Sequence, residues 1–118
     1  MKIEIENRLI KFSVAIIKHC KCLHREFASE NLCSQIIRSS TSSALNYGEA
    51  QAAESRKDFA HKISIVLKEL RETQINLKII KEAELSKNHS DEDYLIKECG
   101  ELIAIFQKTI TTIRSKKA

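Results

Sequence analysis

Proline is absent from this chain of 118 residues, and Gly48 and Gly100 are its only glycines. Tight hairpin turns draw on Gly, Pro, Asn and Asp for their special backbone angles, so a chain of many short strands is poorly served by this composition. Long helices joined by few turns are well served by it. The length fits a single domain, residues 1–118, with one modest core. Aromatic residues make up 5% of the chain and Trp is missing, so that core must be mostly Ile, Leu and Ala.

Apolar spacing places four helices. The first runs over about 3–24, with Leu9, Phe12, Ile16, Cys20, Leu23 and Phe27 at three- and four-residue steps along one face. The second runs over about 30–53, with Ser29 as its N-cap. The third starts at Ser55, where Asp58 follows at the capping-box spacing, and continues to about residue 84. Its inward residues are Phe59, Ile63, Val66, Leu67, Leu70 and Leu77. Residues 85–89 read as a loop. The fourth helix opens at Ser90, where Asp91, Glu92 and Asp93 suit the positive end of the helix dipole. It continues to about 113, with Leu95, Cys99, Leu102, Phe106, Ile110 and Ile113 inward. Short connections make this an all-α, antiparallel up-down four-helix bundle. Ser39, Ser40, Thr41, Ser42 and Ser43 have weak helix propensity. Either they form a loop that splits the second helix, or their small side chains admit a neighbouring helix while the hydroxyls bond back to helix carbonyls.

A net charge of +4 is far from the signature of a strongly basic nucleic-acid binder. The start of the chain, MKIEIENRLIK, carries acids and no apolar run, and nothing approaches the roughly 18 apolar residues of a membrane span. A cytoplasmic protein is expected, without membrane contact. Cys20, Cys22, Cys33 and Cys99 are then reduced thiols packed as small hydrophobes.

The outer faces are less polar than a monomeric bundle requires. Ile65, Ile75 and Ile79 stand opposite Phe59 and Leu70, and Ile3, Ile10 and Ile17 form a lateral stripe on the first helix. Such rows predict burial against another copy of the chain. The alternative is a set of isolated surface isoleucines, or a contact with the chain's own termini. Arg8, Lys11, Lys18, Lys21 and Arg25 fall on an arc away from the first helix's core face. A solvated face is the default reading. Multiplied by self-assembly, the arc becomes a surface for RNA or DNA phosphates, salt-sensitive and without base stacking, because no aromatics interleave with it.

Little points to catalysis. His19, Cys20, Cys22 and His24 are metal-ligating types, but a tetrahedral site needs four converging ligands and Cys20 belongs to the core face. No metal site, cofactor or catalytic residue is expected from this cluster. Arg56 and His61 have the R-x-x-x-x-H spacing of helical-bundle ribonucleases, in which the His moves a proton and the Arg steadies phosphate charge. That short motif supplies the alternative to a non-enzymatic scaffold. A dedicated protein-binding module is a third reading.

One stretch carries a more specific pattern. Arg38, Ser39, Thr41 and Ser42, then Asn46, Glu49 and Ala50, then Ser55, Asp58, Phe59 and Lys62, then Lys68, Glu69, Glu72 and Thr73 follow in fixed order. This pattern resembles the four-helix-bundle proteins encoded in intervening sequences of ribosomal RNA genes, a family related to the accessory variability protein of diversity-generating retroelements. The resemblance implies a bundle that assembles as a homopentameric ring. For the retroelement relative it implies binding to nucleic acid and to a reverse transcriptase, a nucleic-acid-processing protein. The mild charge of this chain departs from that basic surface. Read from the residues themselves, the pattern is structural: Ser55 and Asp58 cap a helix, Phe59 fills the core, and Arg38, Glu69 and Glu72 supply ion pairs between helices or subunits.

Overall fold

The computed structural model describes residues 2–117. It comprises α1 (Lys2–Cys20), α2 (Phe27–Gln51), α3 (Arg56–Glu82) and α4 (His89–Lys117). Every neighbouring pair is antiparallel, as the cross-helix contacts record. Ser13 meets Ser40, Ser39 meets Thr73, Arg71 meets Gln107, and Arg8 meets Glu98. The backbones of α1 and α3 stay apart, as do those of α2 and α4; each pair occupies opposite corners of the bundle. Leu9, Ile16, Ile36, Ile63, Leu70, Leu77, Leu95 and Leu102 fill the middle. Tyr47 and Phe106 reach across the diagonal to meet edge-on, with ring centroids 5.5 Å apart. The body measures 48 × 23 × 21 Å.

The serine-rich run is helical throughout. Thr41 Oγ1 donates to the Ile37 carbonyl at 2.7 Å and Ser43 Oγ to the Ser40 carbonyl at 2.6 Å. These bonds satisfy hydroxyls that would otherwise oppose burial. Ser39, Ser40 and Ser43 are fully buried, and their small size brings α1 and α3 close on either side.

The ends of the helices depart from the sequence reading in several places. α1 stops at Cys20 instead of reaching 24, because the chain tightens into bonds from Lys21, Cys22 and Leu23 to the carbonyls three residues back. The His24 N–H then bonds the Leu85 carbonyl at 2.8 Å, tying the α1–α2 turn to the α3–α4 turn. Phe27 therefore leaves the face of α1. It is the first residue of α2 and 82% exposed. Ser29 is not the N-cap: it lies buried inside the first turn, and Glu26 takes the cap position without a side-chain bond. Ser55 does cap α3, accepting from the Asp58 N–H at 3.0 Å. Before α4, the Asn88 side chain accepts from the Asp91 N–H, so the helix opens at His89.

The α3–α4 turn closes as a Schellman motif. The Glu84 N–H bonds the Lys81 carbonyl, the Leu85 N–H bonds the Ile80 carbonyl, and Glu84 takes the left-handed conformation at φ 54°. Leu85 thereby turns into the core. Both glycines lie inside helices, and this turn is made without one.

Candidate functional surfaces

The patterned residues of 38–73 build the seam between α2 and α3. Arg38 bonds Glu69 at 3.0 Å and reaches Glu72 at 3.4 Å. Ser39 and Thr73 share a buried hydrogen bond of 2.6 Å, and Thr73 also donates to the Glu69 carbonyl. Lys62 pairs with Glu49 at 2.7 Å, a contact that pushes the lysine up in pKa. Asn46 donates to Ser42, both to its carbonyl and to its hydroxyl. Phe59 is half-buried against the core, and Lys68 is exposed. The seam is thus a ladder of polar rungs at one antiparallel register. It resembles a device for fixing helix alignment more than a reaction centre.

Two apolar patches lie outside the core. On α1, Ile3, Ile10 and Ile17 are exposed, joined by Val14 from the same side. On α3, Ile75 and Ile79 are exposed and Ile65 is half-buried. Sequence reasoning missed Phe27 and Leu45, which project from α2 opposite its buried side, and Tyr94 on α4. The α2 pair stands 18 positions apart, five helical turns, so the same periodicity that marks a core marks this row too.

The basic arc is divided. Arg8 is committed to α4: Nε and Nη2 each bond a Glu98 oxygen at 2.8 Å, and Nη2 bonds Glu101 at 2.7 Å. The bond to Glu98 raises the guanidinium's pKa further, and the bidentate geometry fixes it in place. Lys11 and Lys18 remain exposed on α1. Lys21 and Arg25 are exposed too, but on the α1–α2 turn beyond the end of the helix.

Arg56 and His61 are both exposed on α3, and neither side chain makes a hydrogen bond or ion pair among the described residues. Five positions separate them on the helix, which turns them well apart. No group of three or more His, Cys, Asp or Glu residues converges as a metal site among the described residues. The buried pair that sequence reasoning overlooked is His19 with Glu92. His19 Nε2 lies 3.2 Å from Glu92 Oε2, and both side chains are almost wholly inaccessible. His89 Nδ1 approaches the other Glu92 oxygen at 3.3 Å without hydrogen-bond geometry. Helical spacing was the available signal: His19 follows Phe12 and Ile16 on the core face, and Glu92 precedes Leu95 and Cys99.

The sequence model of the 23S rRNA-intervening sequence protein family matches residues 1–108. The chain belongs to that family. Its fold also matches a solved structure, a protein of unknown function from the S23 ribosomal protein family of Bacteroides thetaiotaomicron VPI-5482. The two share 28% identity with a TM-score of 0.78, over 90% of this chain and 97% of that one. Among curated proteins none matches. For this member of the intervening-sequence family, no described helix is long and apolar enough to cross a membrane.

Proposed function

We propose that the protein is a non-enzymatic scaffold that assembles head-to-tail into a homo-oligomeric ring. One observation carries this reading: the exposed isoleucine patches lie on α1 and α3, which occupy opposite corners of the bundle. A patch that pairs with itself gives a two-fold dimer. Two different patches on opposite sides favour a heterologous contact, which closes into a ring when the rotation allows. Five subunits is the number the family resemblance implies. In such a ring the exposed Lys11, Lys18 and Lys21 repeat around the assembly as a surface for RNA or DNA backbone.

The test is complementation. Ile10→Glu spoils the α1 patch and Ile75→Glu spoils the α3 patch; each variant alone should run as a helical monomer by light scattering, because an unpaired charge is costly to bury. Mixed together, they retain one intact contact between them and should form a heterodimer that grows no further. A monomeric parent protein, or a variant that still self-dimerises through its intact patch, refutes head-to-tail assembly. Nucleic-acid contact is tested by anisotropy with labelled RNA and DNA. Affinity should fall steeply with salt and should drop for all sequences alike in Lys11→Glu/Lys18→Glu/Lys21→Glu. No binding at low salt, or binding untouched by the triple variant, refutes that part. Metal-independent RNA cleavage lost in His61→Ala would favour the ribonuclease reading instead.

A further inference from the structure

Of the four cysteines, Cys20 and Cys33 are brought together. Cys20 ends α1, and Cys33 sits in the second turn of α2. Cys33 Sγ donates to the Cys20 carbonyl at 3.9 Å, and both cysteines line one cavity. The other two point elsewhere. Cys22 Sγ turns back to the Lys18 carbonyl and lines a hollow with His19 and Tyr94. Cys99 is buried between α3 and α4, donating to the Leu70 carbonyl at 3.2 Å. The Cys20–Cys33 pair is only half-buried and lines a cavity of about 420 Å³. Lys21, His24 and Arg25 line the same cavity, with Glu30 as the one acid, and this basic balance suits an anionic visitor.

We infer that Cys20 and Cys33 form a dithiol site that an anionic low-molecular-weight disulfide, of the glutathione disulfide class, oxidises to an intramolecular bridge between α1 and α2. Burial, with the Cys33 contact added, pushes the Cys20 thiol up. A thiol held protonated is a poor first nucleophile, which leaves the opening attack to Cys33. Its thiolate attacks one sulfur of the small disulfide and forms a mixed disulfide. The first small thiolate leaves and takes up the proton that Cys33 gave up. Cys20 then attacks the Cys33 sulfur, and its proton goes to the second departing thiolate. Two protein thiols are oxidised and one small disulfide is reduced to two thiols, so atoms and electrons balance. Lys21 and Arg25 serve by attracting the carboxylates of the reagent.

Trypsin makes the test clean, because cleavage after Lys18, Lys21, Arg25 and Arg38 puts Cys20, Cys22 and Cys33 on three separate peptides. The reduced full-length protein is incubated with glutathione disulfide, alkylated, digested without reductant and mapped by mass. The expected product is a peptide of 19–21 joined to 26–38, about 2 Da lighter than the two reduced peptides together, and lost on treatment with reduced thiol. Cys22→Ser should leave that product intact. Cys33→Ser, checked for unchanged helicity by circular dichroism, should abolish it. Should Cys33→Ser fail to fold, the peptide map of the unaltered protein decides alone. Mixed disulfides on Cys20 or Cys33 without the bridge, a bridge from Cys22 to Cys33, or full alkylation of Cys20 and Cys33 after oxidation would each overturn the proposal.

Discussion

Replacing His19 by Leu should be among the most damaging single changes in the molecule. The imidazole is the hydrogen-bonding partner of Glu92, whose side chain is fully buried. Removing one partner of a buried hydrogen bond leaves the other unsatisfied, which costs about 1–3 kcal/mol. Two features temper the loss. Glu92 stands in the first turn of α4, where the helix dipole favours a carboxylate by roughly 0.3–1 kcal/mol, and His89 lies 3.3 Å from its second oxygen. A cost of about 2 kcal/mol is expected for His19→Leu on that reckoning. At roughly 0.05–0.15 kcal/mol per residue, the whole fold holds about 6–18 kcal/mol, so this one change removes a large share. His19→Leu/Glu92→Leu should recover most of it and end within about 1 kcal/mol of the parent, since replacing both partners of a buried hydrogen bond by apolar groups costs little. The assay is urea unfolding followed by far-ultraviolet circular dichroism, at one fixed protein concentration because self-association shifts apparent stability. A cost below about 1 kcal/mol for the single change, or a double variant as unstable as the two singles added, would refute the reasoning.

Three further outcomes are expected. Glu84→Gly should stabilise the fold by about 1 kcal/mol, because a left-handed C′ position carries a penalty for any residue with a Cβ; a midpoint in urea that does not rise argues against it. Gly48→Ala should add about 0.5 kcal/mol, since the new Cβ would meet nothing within 4 Å in the last turn of α2; destabilisation would mean another chain packs there. Cys99 is pushed up to about 12 by burial, from an ordinary value of 9.0. Its folded value is raised, so its contribution is complete below pH 9.0 and is lost as pH climbs to about 12, and unfolding titrations of Cys99→Ala should lack that part of the alkaline decline.

The helix count, the order of helices and most of the core were legible because the 3.6-residue period is strong in every helix. Ser55 was legible too, since an exposed cap obeys a local rule. Ser29 obeys the same rule in sequence and breaks it in space, because α2 starts two residues earlier and carries a buried Ser29 into its first turn. Phe27 was placed on the wrong helix for a related reason: apolar spacing runs on through a turn that has no Gly or Pro to mark it. The isoleucine rows were visible, yet their placement at opposite corners is a tertiary fact that no single helix contains. His19 and Glu92 sat at core spacing all along. Their polarity drew attention to ligand chemistry and to helix dipoles, and only the pairing of α1 with α4 explains how both are buried.

The seam between α1 and α4 is the smallest of the four, and it alone joins segments far apart in sequence. The other three seams connect consecutive helices and close with little loop entropy, and of these the α1–α2 seam is the smallest. α1 is then the natural last arrival in folding and the cheapest helix to release afterwards. Its amides should exchange with solvent through openings smaller than global unfolding, faster than those of α3. The lysine stripe and one isoleucine patch ride on that helix, so any partner that grips it should act as a clamp and slow exchange along its whole length.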